Sequence, residues 1–478
     1  MNKGFKKLSK IKNLLIYVLS FSASACGILL NFILARFLGA NNYGRLQYFV
    51  ALATTISQFL ILGMNSFLIR EAKNEKQNGK VFNKCASLYF AIILFFLPIV
   101  YFLLKNVFLV SYHEYFLIAV TIMAVLMGMN SLITSYFQGN GKFHLTILFE
   151  NLIPKLVLLS ISIVFLLAGF KKQLEDNYLL FYIILYSSVA IPFCIALFKK
   201  INFKFERSEI KSIIFFFGVT VTYSLGNNLT KVIQGGLYKN DIALGVISVS
   251  ISIVSLVKVF TAVLDNMIKP LFAKKQRDND INGLIETYRF DTRVNSYVSI
   301  PLYLFFIIHP DRFLAVFGQS YTIYPFILVF ISIANAIADL TGPNGTMLAM
   351  TGNEKWELFN GLLYFSVYIL SVFILSFDKV YGLCLALLIG QIAVNVAKYI
   401  ETWVIYKTTP LNLKSILSIL LIITVNFVLI FAMRFVKLSL WYWMPIGIVC
   451  GMLCVVLNSF VISLYRIKDI KQLISLKV

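Results

Sequence analysis

Three lysines lie inside apolar runs long enough to cross a bilayer: Lys155 in 147–168, Lys231 in 213–237 and Lys258 in 242–264. An ammonium group at such depth costs roughly 2.5–3.5 kcal/mol on insertion scales. It is retained where it faces protein or water, and there it can attract an anion such as a phosphate. Lys155 shares a helical face with Asn151 and Ser162, and reads either as a cavity cation or as the partner of Glu150 or another acid. Lys231 continues a stripe of Thr220, Ser224, Asn227, Lys231 and Gln234, spaced i, i+4, i+7, i+11 and i+14. At about 100° per residue that spacing keeps them on one helical face. Lys231 and Lys258 also lie close enough to run ends to reach the headgroups as interfacial anchors.

The first apolar run carries Ser20, Ser24, Gly27 and Asn31 at the same spacing, 200 residues earlier. Arg36 follows them as a phosphate contact at the outer lip or as an anchor, and Arg70 reads as an inner anchor. Asp339, with Asn335 and Ser332 preceding it, puts a carboxylate near the inner end of the run 321–341. It could bind a coupling proton or sodium ion, pair with an embedded lysine, or simply close a helix before Gly342-Pro343. Cys26, Cys85, Cys194, Cys384, Cys450 and Cys454 all sit in apolar runs and read as small hydrophobes. His113, His144 and His309 stand singly. No metal-ligand spacing, catalytic constellation or resident cofactor is therefore expected.

The elements that hold these residues follow from composition. The 478 residues are 59% hydrophobic and 13% charged, about half the charged fraction of a soluble globule. Continuous apolar runs of bilayer length, rather than short alternating ones, select helices over a β-barrel. Fourteen runs are found: 13–34, 46–69, 85–104, 116–137, 147–168, 178–198, 213–237, 242–264, 295–309, 321–341, 359–377, 380–400, 411–433 and 441–464. A tight turn at Asn41-Asn42-Tyr43-Gly44 is expected between the first two. The longest connection, about Asp265 to Val294, reads as charged and cytoplasmic, with an amphipathic interfacial helix.

Five lysines before residue 13 and the small residues Ala23-Ser24-Ala25-Cys26 resemble a signal segment, but the run continues to Leu34 and is read as the first helix. With the N-terminus inside, inner connections hold 30 of the 43 Lys and Arg and outer ones 10. That bias favours fourteen helices with both termini cytoplasmic. It also accounts for the net charge of +22 through anionic headgroups, without a nucleic-acid partner.

The chain contains an apparent duplication. Gly44 and Gly245 are separated by 201 residues, and Gln47, Ala51 and Thr54 correspond to Ser248, Ser252 and Ser255. Gln138-Gly139-Asn140-Gly141-Lys142 likewise matches the later stretch around Gly352-Asn353-Glu354-Lys355. Two parallel six-helix repeats, residues 1–206 and 207–409, would be followed by two further helices and a basic cytoplasmic tail, 410–478.

Several motifs in order resemble the polysaccharide-transport family of the multidrug/oligosaccharidyl-lipid/polysaccharide exporter superfamily. They are Ala35-Arg36-Phe37-Leu38-Gly39 with Tyr43-Gly44, Gly63 with Leu68-Ile69-Arg70-Glu71, Gly139-Asn140-Gly141-Lys142, Lys269-Pro270-Leu271, and Gly352-Asn353-Glu354-Lys355 with Tyr381-Gly382. The resemblance implies an all-α V-shaped exporter fold with its cavity lined by the first, second, seventh and eighth helices. It implies alternating access that moves an undecaprenyl-pyrophosphate-linked oligosaccharide, an O-antigen or capsule unit, to the outer leaflet of a bacterial inner membrane. Membrane lipids, a glycan polymerase and assembly proteins are the implied partners. Coupling to a proton or sodium gradient, or to membrane potential, is left open.

Rival readings come from within and outside transport. A multidrug exporter would favour acidic cavity residues, whereas the embedded charges here are mainly lysines. A peptidoglycan-precursor flippase would share the fourteen helices. A polytopic glycan polymerase or glycosyltransferase would call for a long external loop or an acidic catalytic motif, and neither is found.

Overall fold

Inside a bilayer every backbone N–H and C=O must be satisfied by the chain itself, and these apolar runs meet that demand as helices. The computed structural model describes residues 2–71, 75–108, 114–411 and 413–435, with parts of 439–454. The side chains of 2–17, 219–227 and several shorter stretches lie outside the described residues. The α-helices are α1 Asn2–Ile61, α2 Met64–Arg70, α3 Glu75–Leu103, α4 Glu114–Gly139, α5 Phe143–Ile147, α6 Ile153–Leu167, α7 Lys171–Leu197 and α8 Arg207–Gly236. They continue as α9 Asp241–Arg277, α10 Ile281–Ile308, α11 Pro310–Phe317, α12 Pro325–Thr341, α13 Asn344–Met350, α14 Glu354–Ile374, α15 Tyr381–Tyr406 and α16 Leu413–Ala432. No strand occurs among the described residues.

The protein is an all-α polytopic membrane protein. Thirteen of the fourteen apolar runs fall on these helices, and most of 441–464 lies outside the described residues. Among the described residues, eight helical segments are individually long and apolar enough to cross a bilayer, and α10 with α11, bent by 84°, makes a ninth. One of the eight, Val18–Ile61, is 44 residues long and takes in most of the first two predicted runs.

One local expectation is corrected and a second is filled in. The turn expected at 41–44 is helical, and the one non-helical residue of α1 is Gly39 (φ 77°, ψ 169°), a left-side conformation that suits glycine. The connection at 265–294, where an amphipathic helix is expected, is mostly helix. α9 runs to Arg277, α10 starts at Ile281, and Asp280 accepts a hydrogen bond from Gly283 N to cap the second helix.

The chain divides into two compact units, residues 1–248 and 249–478, with the division inside α9. In the first unit Phe67, Phe82, Cys85, Tyr89 and Ile133 join α2, α3 and α4 in one core. Lipid removes most of the hydrophobic driving force between helices, so close van der Waals fit takes its place. Gly128 illustrates this: the Tyr89 ring lies where a Cβ would stand, and Tyr89 Oη donates to Val125 O at 2.6 Å. α8 is started by a capping box of Glu206 and Glu209, and Lys84 of α3 donates to both Glu209 carboxylate oxygens at 2.8 and 2.9 Å. In the second unit α16 packs on α10 through Tyr297, Ile300, Ile419 and Ile422. His309 Nε2 lies 2.9 Å from Ile430 O, and buried Trp443 packs against Phe305, His309 and Phe313.

Candidate functional site

Lys155 is set one residue after Pro154, where the π-helical turn Leu148–Leu152 passes into α6. Such turns locally re-aim the side chains that follow. The Lys155 ammonium approaches α1, where Nζ donates to Ala23 O at 3.4 Å. Room for it is made by Gly27, whose Cβ would stand 3.2 Å from Lys155 Cδ, Cε and Nζ. The small-residue stripe of the first run therefore meets the first embedded lysine. Glu150 is exposed and makes no ion pair with Lys155 among the described residues. On the same stripe Ser24 Oγ donates back to Ser20 O at 3.0 Å, and Asn31 is half-buried.

Lys231 is half-buried on α8, and its Nζ donates to Gln47 Oε1 at 3.0 Å. The two polar faces inferred for the seventh and second runs are thus brought together. Gln234, one turn further along α8, is fully buried, with neither amide atom hydrogen-bonded among the described residues. The side chains of Thr220, Ser224 and Asn227 lie outside the described residues. Beside this pair Tyr48 lies against Gly235 and Gly236, and its hydroxyl donates to Phe108 O at 2.7 Å.

In the second unit Lys258 of α9 pairs with Asp339 of α12, Nζ to Oδ1 at 2.5 Å. Tyr303 of α10 donates to the other carboxylate oxygen at 3.0 Å. Asp339 is buried, whereas the Lys258 side chain is 36% exposed. Asn335 does not join it, because its Nδ2 donates to Ile331 O of its own helix at 2.8 Å. Arg36 is exposed in the last turn before Gly39. The Arg70 guanidinium lies 5.5 Å from the centre of the Phe216 ring.

Sequence reasoning missed a second charged group in this unit. Glu357 and Asn360 on α14 face Lys398 and Glu401 on α15. Lys398 Nζ lies 3.2 Å from Glu357 Oε1, and Asn360 Nδ2 donates to Glu401 Oε2 at 2.7 Å. The signal was present: each helix carries its two polar residues at i and i+3, on one face. Near run ends, however, such residues read as anchors.

Lysines held against neutral acceptors within bilayer-length helices define a membrane protein with cationic interior positions, and the fold narrows the class. It is similar to the lipid II flippase MurJ in an inward closed conformation, with a TM-score of 0.67, 16% identity, and 95% of this chain and 100% of that one covered. It is also similar to an inward-facing multidrug resistance MATE family transporter of the MOP superfamily (TM-score 0.61, 11% identity, 82% and 98% covered). A MOP superfamily transporter from Pyrococcus furiosus, described as having a binding pocket of reverse polarity, matches at TM-score 0.57 and 12% identity, with 82% and 95% covered. At these identities the likeness is one of fold. The chain belongs to the polysaccharide biosynthesis protein family, whose model matches residues 33–325. No curated protein matches it.

Proposed function

We propose that this protein is a flippase that carries an undecaprenyl-pyrophosphate-linked oligosaccharide from the inner to the outer leaflet of a bacterial inner membrane, with both termini cytoplasmic. The supporting observation is that Lys155 and Lys231 meet a carbonyl and a carboxamide, and no carboxylate among the described residues. Their charges stay available to a passing anion. A pyrophosphate needs such cations and donors to leave water, since burying an unpaired charge costs far more than any single contact returns. Family membership ties the chain to polysaccharide biosynthesis, and the fold is one that transporters use.

On this reading the chain makes and breaks no bond. It alternates access between the two leaflets and delivers an O-antigen, capsule or related unit to a polymerase and assembly proteins. The two repeats would be residues 1–206 and 207–409, with 410–478 beside them.

The test is the lipid-linked intermediate that accumulates when the gene is removed. An undecaprenyl-linked repeat unit building up on the inner leaflet, relieved by the wild-type gene, supports the proposal. Drug sensitivity with normal surface glycan would make the protein an exporter. A build-up of peptidoglycan precursor would make it a flippase of that lipid.

A further inference from the structure

Glu357, Asn360, Lys398 and Glu401 form a group that the lysine chemistry above does not use. Its formal charge is two carboxylates against one ammonium, and all four side chains are largely buried, Glu401 at 7% and Asn360 at 0% exposure. Lys398 is engaged with Glu357. Gly345 of α13 seals that side: a Cβ there would stand 2.3 Å from Glu357 Oε1 and 2.7 Å from Lys398 Nζ. One negative charge is therefore left on Glu401 with no ion pair of its own among the described residues. A buried uncompensated carboxylate is costly, and proteins relieve it by a partner, an ion or a proton.

The hydrogen bonds select among these. Asn360 Nδ2 donates to Glu401 Oε2 at 2.7 Å, which puts the carboxamide and the carboxyl group in direct contact. Among the described residues two oxygens then remain without a hydrogen-bond partner, Glu401 Oε1 and Asn360 Oδ1, both on side chains more than nine-tenths buried. Two acceptors cannot satisfy each other. A single proton on Glu401 Oε1, donated to Asn360 Oδ1, closes a cyclic acid–amide pair, satisfies both and neutralises the group. We propose that Glu401 and Asn360 form a proton-binding site between α14 and α15.

The charged groups around it are few. α15 supplies Lys398 and α14 supplies Glu357, Lys355 of α14 being exposed and the Glu354 side chain outside the described residues, while α13 (Asn344–Met350) carries none. α12 carries only Asp339, which Lys258 and Tyr303 hold. Loss of the proton would restore the buried charge between the two helices, which ties the fit of α14 on α15 to proton occupancy. As a coupling device this rests on the flippase reading; as a proton site it does not.

Infrared spectroscopy of the purified full-length protein in liposomes tests it. Glu401→Gln places an amide where the protonated acid would be and can accept from Asn360 Nδ2 while donating to Asn360 Oδ1, so that variant should fold. The wild-type minus Glu401→Gln spectrum should contain one protonated-carboxyl band, also present in Glu357→Gln, shifted in Asn360→Leu, and unchanged when sodium chloride replaces potassium chloride. A difference spectrum without that band overturns the site, and a band that sodium removes overturns it in favour of a metal ion. The readout needs no substrate, so failure of the flippase reading leaves it intact.

Discussion

Gly44 and Gly245 make the same backbone contact from opposite sides. A Cβ on Gly44 would stand 1.8 Å from Asp241 O, and a Cβ on Gly245 2.2 Å from Ala40 O. Ala40 and Asp241 are separated by 201 residues, as Gly44 and Gly245 are, so exchanging the copies maps the contact onto itself. Self-complementary contacts of this kind are what a two-fold relation produces. The match supports an origin by duplication independently of the polar stripes.

Adding a methyl at either glycine forces two backbones apart. Gly44→Ala and Gly245→Ala should each lower thermal stability by about 1–3 kcal/mol, the usual cost of overpacking. The double variant should cost less than the sum, because both changes relieve the same contact. Gly79→Ala is the control, since nothing lies within 4 Å of its Cβ position. Melting of purified protein in detergent measures all four.

Much of this was legible in the sequence, and the failures have physical reasons. Bilayer-length apolar runs state their own conformation, and thirteen of them lie on helices. The stripes on the seventh and second runs meet through Lys231 and Gln47 because a polar face inside lipid has few places to go. Gly44 was misread as a turn residue because a glycine that permits close approach looks the same in sequence as one that permits a positive φ. That second role belongs to Gly39. The group at Glu357 and Glu401 went unseen because its members sit on two helices near run ends, where charge usually marks an interface.

Lys155 and Lys231 separate stability from transport. Each is held by a neutral acceptor, so Lys155→Met and Lys231→Met leave no orphaned carboxylate and remove an insertion cost of roughly 2.5–3.5 kcal/mol. Both variants should reach the membrane at or above the wild-type level while surface glycan falls. Immunoblots of membranes beside glycan staining measure the two quantities. Normal glycan in both variants at matched protein level would remove these lysines from the transport path.

Asp280 offers a pH signature outside the membrane-spanning segments. Its carboxylate accepts from Lys275 Nζ at 2.6 Å and from Gly283 N at 2.9 Å, and the lysine bond first, then the backbone bond, holds its pKa below the ordinary carboxylate value. A depressed folded-state pKa contributes stability that is present above the unfolded value and lost as pH falls through the folded one. Wild type should therefore lose an advantage over Asp280→Asn as acid is added below about pH 4, the unfolded aspartate range. Paired melting curves across that range check the sign.

The Lys258, Asp339 and Tyr303 group predicts an order among variants. Lys258→Met leaves the Asp339 carboxylate buried with only the Tyr303 hydroxyl, and removing one partner of a buried pair costs roughly 3–5 kcal/mol. The cost here should fall below that range, because the Lys258 side chain is 36% exposed and the pair is only partly buried. Asp339→Asn leaves the charge on the more exposed partner and keeps a group that Tyr303 can still meet, so it should be the milder single change. Combining the two removes both charges and should recover most of the stability lost in Lys258→Met. A double-mutant cycle on melting free energies measures the coupling. Additive losses would mean that the ion pair contributes nothing beyond its separate side chains.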